Sequence, residues 1–238
     1  MKHGSLTHWA IMAVTLALCV WVALTGRRDS NSRKSLLIAK ALGISLFLNY
    51  GLYVIYRIYA GYWEVRYDLP MQLCDWSAFA TAIALLTRSR LSAELSYFWV
   101  MTGSIHGILT PDLSIDFPDI RFFMFFIGHS SLMISSSYAI FGLRLYPRKG
   151  AVWRVFLFSE FYIAVALLVS YLFNGNYGYV MSKPEAGSVL DYLGDWPTYL
   201  IFIQLFAPML FAIAYLPFKL WQKYQLANSL NSAFGNIQ

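Results

Sequence analysis

Residues 69–75 read LPMQLCD and residues 121–129 read RFFMFFIGH, and the rest of the chain is placed around these two stretches. Each stretch joins a polar cluster to one end of a long apolar segment. Cys74 lies in the first stretch and His129 ends the second. If both polar ends face the same side of a membrane, the thiol and the imidazole meet there.

The composition is that of an integral membrane protein. Of the 238 residues, 58% are hydrophobic and 13% are charged, and the mean hydropathy is +0.53. Soluble domains have about 45 to 50% apolar and about 25% charged residues. The formal net charge of +6 falls largely in short loops beside apolar runs, where basic residues set membrane topology. Binding to nucleic acid is therefore not expected.

Apolar runs of about 20 residues are long enough to cross a hydrocarbon core of about 30 Å. They predict an all-α, polytopic membrane helix bundle of about seven transmembrane helices, with residues 1–238 forming a single integral membrane domain. The first run is too long for the apolar part of a signal peptide and ends in basic residues, so we expect a retained helix. The predicted spans are about 6–25, 36–59, 70–87, 94–110, 121–146, 152–173 and 197–220.

The loops between the predicted spans alternate in charge. One set, with the C-terminal tail, is basic: Arg27, Arg28, Arg33, Lys34, Arg88, Arg90, Arg144, Arg148, Lys149, Arg154, Lys219 and Lys223. The other set is rich in acidic residues: Glu64, Asp68, Asp112, Asp116, Asp119, Glu185, Asp191 and Asp195. The positive-inside rule places the N-terminus outside and the C-terminus in the cytoplasm, the parity that seven crossings require. We expect a multi-pass protein of the cell membrane.

Aromatic residues crowd the predicted outer ends of the helices. Because their rings are apolar and their tips are polar, tyrosine and tryptophan concentrate at membrane–water interfaces. We expect most of this set to be interfacial anchors: Tyr59, Tyr62, Trp63, Tyr67, Tyr177, Tyr179, Tyr192, Trp196 and Tyr199.

Polar and reactive groups converge at one predicted depth. With a helical rise of about 1.5 Å per residue, Cys74 lies about 6 Å below the start of its helix. By the same measure His106 lies about 7 Å below Pro111, and His129 lies about 12 Å below Arg121. Such groups are costly in lipid, so each is a functional candidate. Their convergence predicts a polar pocket in the outer third of the bilayer.

Each candidate also has a structural interpretation. A buried cysteine often packs as a small apolar residue, and His129 suits an interhelical hydrogen bond. His106 could pack or pair with Asp112, and Arg121 could be a snorkelling anchor.

Other functional groups are expected to be absent. No two of the His and Asp candidates have the i, i+3 or i, i+4 spacing of a helical ligand pair, so we expect neither a metal nor another cofactor. Cys19 and Cys74 fall at opposite predicted ends of the bundle, too far apart for a disulfide, whose Cα atoms lie within about 7 Å.

Glu160 is expected to pair with Lys40 or Arg154, or else to mark a proton or ion path.

Five short motifs lie in order along the chain: Leu69–Asp75, Leu109–Leu113, Phe117–Pro118 with Arg121–Phe123 and Gly128–His129, Asn176–Tyr177 with Lys183–Pro184, and Leu190–Asp191 with Trp196–Pro197. In these motifs the chain resembles the YwaF-like integral membrane proteins, across about residues 45–218. The chain resembles the bacterial members most. The family includes animal transmembrane protein 164, described as a phospholipid acyltransferase forming polyunsaturated ether phospholipids, with a Cys and a His implicated. It is also distantly similar to the androgen-induced membrane lipid hydrolases, which use a Thr nucleophile and a His.

The resemblance implies a membrane-embedded lipid acyl transfer enzyme with Cys74 as nucleophile and His129 as base. The expected partner is a phospholipid or lysophospholipid near the outer leaflet. Residues at the predicted pocket or its mouth are expected to bind substrate or support the pair: Asp75, His106, Asp112, Arg121, Asn176, Tyr177 and Lys183. Two alternatives stay open: a lipid hydrolase that uses water as acceptor, and a seven-helix transporter or sensor that binds a small solute in the same pocket.

Overall fold

The structure is a computed structural model that describes residues 4–113, 115–184 and 188–235, so that Glu185 of the acidic loop set lies outside the described residues. Within these ranges the secondary structure is helical and contains no strand, which confirms the predicted all-α class. The α-helices are α1 (Leu6–Arg28), α2 (Arg33–Tyr59), α3 (Leu73–Thr87), α4 (Arg90–Trp99), α5 (His106–Leu109), α6 (Ile120–Ser137), α7 (Ala151–Phe173) and α8 (Thr198–Gly235).

Five stretches of the described chain are long and apolar enough to cross a membrane. They are Leu6–Arg28, Arg33–Tyr59, Ile120–Gly142, Ala151–Phe173 and Thr198–Gln225. The other two predicted spans are helical but shorter or interrupted: α3 has 15 residues, and a π-helical turn, Val100–Ser104, separates α4 from α5. Large apolar side chains such as Trp9 and Leu48 stay exposed, as lipid-facing residues do. The chain is a multi-pass membrane protein, while seven spans, the orientation and the single domain stay predictions.

The start of α3 differs from the prediction by three residues, because the helix begins at Leu73 rather than at residue 70. Gln72 is the N-cap residue, with extended backbone angles of φ −72° and ψ 152°. The Asp75 carboxylate accepts a hydrogen bond from the Gln72 backbone N–H at 3.0 Å, a capping interaction that favours a helix start at this point. Cys74 is therefore the second residue of α3, in the first turn of the helix.

Small residues and hydroxyl groups join the helices at the centre of the bundle. Ala84 of α3 and Ala93 of α4 are fully buried. The Thr81 and Ser96 hydroxyls lie 2.6 Å apart, and Ser96 donates to Ser136 at 2.9 Å. Close approach through small side chains and interhelical hydrogen bonds is how membrane helices associate. These contacts fix α3 against α4 and α6, the helices that position the candidate site.

A buried carboxylate at the start of α4 joins α4 to the chain between α6 and α7. The Glu94 side chain is 0% exposed. It accepts hydrogen bonds from Nε and Nη2 of both Arg148 and Arg154, at 2.8 to 3.1 Å, and from the Arg148 backbone N–H at 2.9 Å. A buried charge is tolerated when its partners and hydrogen bonds are complete. The cluster therefore orders one end of the bundle.

Replacing Arg148 and Arg154 together by methionine is expected to lower the free energy of unfolding by about 3–5 kcal/mol, because the Glu94 carboxylate stays buried without a charged partner. The measurement is denaturant-induced unfolding in detergent micelles. Lys149→Met is the matched control, since it removes a neighbouring charge outside the cluster. Adding Glu94→Leu to the double variant is expected to restore much of the loss. A double variant as stable as the control would contradict this account.

The expected ion pair of Glu160 is wrong, while a role in a proton or ion path stays a prediction. Arg154 pairs with Glu94, and Glu160 of α7 instead accepts a hydrogen bond from Gln204 of α8 at 3.0 Å. The prediction of an interfacial belt is also wrong for Tyr177 and Tyr199, both of which are fully buried. Their hydroxyl groups donate to backbone carbonyls of the protein, which satisfies them without interfacial water.

Candidate functional site

The structure brings Cys74 of α3 and His129 of α6 into contact. The Cys74 thiol lies within hydrogen-bonding reach of His129 and of Ser104, the last residue of the π-helical turn. His129 Nδ1 lies 2.9 Å from the carbonyl oxygen of Phe125. Because a carbonyl only accepts, Nδ1 carries the proton of the neutral ring. Nε2 is then the nitrogen that accepts a proton, and a base of this kind activates a thiol nucleophile.

The imidazole of His129 is held between an aromatic ring and a glycine. On one side the Phe125 ring packs against it, with centroids 4.2 Å apart. On the other side lies Gly107 of α5, where an added Cβ would collide with Cδ2 and Nε2 of His129. His8 of α1 holds α5 in place, since its Nε2 donates to the Ile108 carbonyl at 2.7 Å. A side chain at residue 107 would therefore displace the base.

The backbone just before Cys74 is held by α7 and the loop that follows it. The Tyr162 hydroxyl donates to the Met71 carbonyl at 3.1 Å. The Gln72 side-chain oxygen accepts from the Gly178 N–H at 2.9 Å. These bonds fix both residues that lead into the first turn of α3, so the position of the thiol is set by rigid neighbours.

Asn176 and Tyr177, predicted to support the pair, hold loops instead. The Tyr177 hydroxyl donates to the Val65 carbonyl and accepts from the Leu69 N–H at 3.0 Å. The Asn176 amide donates to the Ser182 carbonyl at 2.9 Å and hydroxyl at 2.7 Å. The polar atoms of both side chains are thus committed within the protein. They shape the wall of the site without offering donors to a ligand.

The two carboxylates predicted to orient a histidine have other main partners. Asp75 caps α3 through the Gln72 N–H and interacts electrostatically with His129. Asp112 accepts a hydrogen bond from the Tyr179 hydroxyl at 3.1 Å. The carbonyl of Phe125, rather than either carboxylate, is the acceptor for the Nδ1 proton of His129.

Tyr179 lies at the site although its sequence position predicted an interfacial anchor. Its hydroxyl is close enough to Cys74 for an electrostatic interaction, and burial and the Asp112 carboxylate raise the pKa of Tyr179 above its usual value. The phenol therefore stays protonated at neutral pH. Its backbone is left-handed, with φ 56°, a strained conformation that is often found at functional sites.

Three further predicted residues lie away from the pair. His106 is exposed and lines a groove against α8, with the Thr110 hydroxyl 3.4 Å from its Nδ1. Arg121 pairs with Asp119 through Nε at 3.0 Å and Nη2 at 2.7 Å. These bonds hold the pKa of the Asp119 carboxyl at about 2. Lys183 lies 3.4 Å from the Asp195 carboxylate.

Comparison with known families identifies the chain. The model of the TMEM164 family matches residues 3–215. The chain belongs to the TMEM164 family. The match begins upstream of the region that carries the resemblance and includes α1, while the YwaF-like name stays a prediction. No curated protein and no solved structure gives a significant match to this TMEM164-family chain.

Several residues of this TMEM164-family site were not predicted. Ser104 and Gly107 lie in the segment GSIHG, residues 103–107. The two glycines of this segment have the spacing at which small residues let two membrane helices approach closely. That spacing was the available signal for Gly107. No local pattern marked Tyr162 or Tyr179, because each reaches the site through the packing of α7 and its following loop. Among the described residues, no group of three His, Cys, Asp or Glu side chains could hold a metal ion.

Proposed function

We propose that this TMEM164-family protein transfers a fatty acyl group through a thioester on Cys74. One observation carries the proposal: the thiol lies within hydrogen-bonding reach of His129, whose Nδ1 is held by the Phe125 carbonyl. The thiolate is the reactive form of cysteine. An imidazole with an acceptor Nε2 generates the thiolate as the sulfur attacks.

The first turn of α3 supports the same chemistry. Cys74 is the second residue of the helix, and the first N–H groups of a helix have no intrahelical acceptor. The partial positive charge at a helix N-terminus stabilises a thiolate. The N–H groups of Asp75 and Trp76 donate to the Gln72 carbonyl. The donors that we assign to the oxyanion of the tetrahedral intermediate are therefore the N–H groups of Leu73 and Cys74. Asn176 and Tyr177 do not serve here, because their polar atoms are bound elsewhere.

The proposed reaction proceeds in two steps. In the first, Cys74 sulfur attacks the acyl carbonyl of a phospholipid ester while His129 takes the thiol proton. The ester C–O bond breaks, and His129 returns the proton to the departing lysophospholipid oxygen, which leaves an acyl thioester. In the second, a lysophospholipid hydroxyl attacks the thioester and gives its proton to His129. The C–S bond breaks, and the sulfur recovers the proton.

We propose that this reaction takes place near the outer leaflet, in a seven-span bundle with its N-terminus outside. Each of the seven predicted spans overlaps a helical segment of the described chain. The basic loops supply the orientation through the positive-inside rule. A phospholipid then enters laterally and reaches the first turn of α3 from the membrane.

The test is the intact mass of purified protein in mixed micelles with a phosphatidylcholine of defined acyl chains. We expect an increase equal to one acyl group, removed by hydroxylamine as thioesters are. Trypsin separates the two cysteines, since Arg66 and Arg88 flank Cys74 whereas Lys2 and Arg27 flank Cys19. The adduct is expected on the peptide of Cys74.

A dialkyl ether phospholipid, which has no acyl ester, is the matched control lipid and is expected to give no adduct. Labelled lysophospholipid distinguishes transfer from hydrolysis, because transfer moves the acyl group to the labelled lipid and hydrolysis releases free fatty acid. Unmodified protein together with unchanged lipid would contradict the proposal and favour the solute-binding alternative.

A further inference from the structure

A cleft opens between the end of α2, the loop that follows it and the first turn of α6. Its volume is about 270 Å³, and it is lined by Arg57, Gly61, Tyr62, Glu64, Tyr67 and Arg121. These residues belong to two segments far apart in sequence. The cleft combines two guanidinium groups, one carboxylate and two phenol rings.

Each arginine of the cleft pairs with an acidic residue, whereas the glutamate forms no ion pair among the residues that the structure describes. Arg57 pairs with Asp68 at 2.9 Å and Arg121 pairs with Asp119 at 2.7 Å. Within the described chain, Arg57 donates its guanidinium hydrogen bonds through Nη2, and Arg121 donates its own through Nε and Nη2. The Nη1 atom of each arginine can therefore donate to a ligand. The Glu64 carboxylate makes none of the ion pairs within the described chain. Such a cleft favours a ligand that carries both charges over a simple anion.

The two tyrosine rings already bind cationic groups. The Arg57 guanidinium lies 5.8 Å from the centroid of the Tyr62 ring, and the Arg66 guanidinium lies 4.7 Å from that of Tyr67. The face of a phenol ring attracts lysine, arginine and ligand ammonium groups alike. Beside these rings, the Glu64 carboxylate makes none of the ion pairs within the described chain and supplies the negative charge that an ammonium group requires.

The surroundings place the cleft at the depth of lipid headgroups. Exposed aromatic residues flank it on both segments, with Tyr59 91% and Phe117 60% exposed. Aromatic residues concentrate in this way at the membrane–water interface. A ligand that reaches the cleft from the membrane therefore presents its headgroup there.

The cleft and the Cys74–His129 pair share α6, and α2, which carries Arg57, packs against α6 near the level of His129. Arg121 lies eight residues before His129 on α6, which corresponds to about 12 Å along the helix. On α2, Asn49 lies beside Gly128, with its Nδ2 2.8 Å from the position of a Cβ there, and Arg57 follows eight residues later. Both arginines thus lie about two helical turns from the level of the pair. An arginine side chain that extends along the helix brings its guanidinium group closer to the pair. The remaining distance then approaches the length of the glycerol backbone that joins a phosphate to an acyl ester.

We propose that this cleft binds the zwitterionic headgroup of a phospholipid, with the phosphodiester on Arg57 and Arg121 and the ammonium group on Glu64, Tyr62 and Tyr67. This assignment rests on the proposed function, because it names the part of the lipid that positions the acyl ester at Cys74. It also explains why Lys183, which pairs with Asp195, is not needed for the phosphate.

The test measures binding without chemistry, in protein that carries Cys74→Ala. Native mass spectrometry gives the fraction of protein that holds phosphatidylethanolamine, phosphatidylglycerol or diacylglycerol with identical acyl chains. We expect phosphatidylethanolamine to bind best. Arg121→Gln is expected to weaken its binding about tenfold, the effect of a lost charge-assisted hydrogen bond. Glu64→Gln is expected to reduce the preference over phosphatidylglycerol about threefold.

Arg28→Gln is the matched control, since it makes the same charge change at the junction of α1 and α2, and it is expected to leave binding unchanged. Equal binding by the Arg121→Gln and Arg28→Gln proteins would overturn the assignment. Displacement of the lipid by inorganic phosphate alone would also overturn it, because it would identify a simple anion site. Adduct formation is measured separately, in the wild-type protein. If the wild type forms no adduct but the Cys74→Ala protein still selects phosphatidylethanolamine, only the proposed function is rejected.

Discussion

Replacing Cys74 with alanine is expected to abolish the acyl adduct and to lower lipid turnover by about a thousandfold or more, since removal of a covalent nucleophile leaves only binding and oxyanion stabilisation. The substitution removes one sulfur atom from a side chain that packs beside small and apolar neighbours, so the bundle is expected to fold. Intact mass and release of labelled acyl chains measure the two effects.

Cys19→Ala is the matched control for this variant. Cys19 is a buried thiol of α1, and its removal is expected to leave adduct formation unchanged. Cys74→Ser preserves the packing more closely and is expected to acylate slowly, because a serine hydroxyl is far less acidic than a thiol. Full adduct formation by Cys74→Ala, or its loss in Cys19→Ala, would reject Cys74 as the nucleophile.

Replacing Gly107 with alanine is expected to slow adduct formation about a hundredfold, as small misplacements of a catalytic group do. The new methyl group would collide with Nε2 and Cδ2 of His129, so the ring must leave its position beside Cys74. Gly51→Ala is the matched control, because nothing lies within 4 Å of a Cβ added at that helical glycine. The measurement is the initial rate of adduct formation per folded molecule, with unfolding curves recorded for both proteins.

A double-variant cycle separates displacement of the base from a general loss of stability. His129→Ala alone is expected to lower the rate by about 10² to 10⁴, the usual contribution of a general base. If Gly107→Ala acts through His129, adding it to His129→Ala lowers the rate little further. Independent, multiplicative losses in the double variant would show that Gly107 has another role.

The two central site residues were predictable and most of their neighbours were not. Cys74 and His129 were found because reactive groups are rare in apolar helices and the motifs around them resemble a known family. Tyr162, which binds the Met71 carbonyl, lies in an apolar run where nothing local distinguishes it. The roles expected of Asn176 and Tyr177 were inferred from residue type, which shows what a side chain can bind but not which partner reaches it first.

The helical class, the membrane environment and the family were predictable from the sequence, because composition, run length and motif order need no contact between distant residues. Which polar groups meet depends on how the helices pack. Arg154 is six residues from Glu160, yet it binds Glu94, which is 60 residues away. A buried charge is stabilised by complete hydrogen bonding rather than by proximity in sequence. For the same reason the space that His129 needs beside Gly107 became visible only when α5 and α6 were packed together.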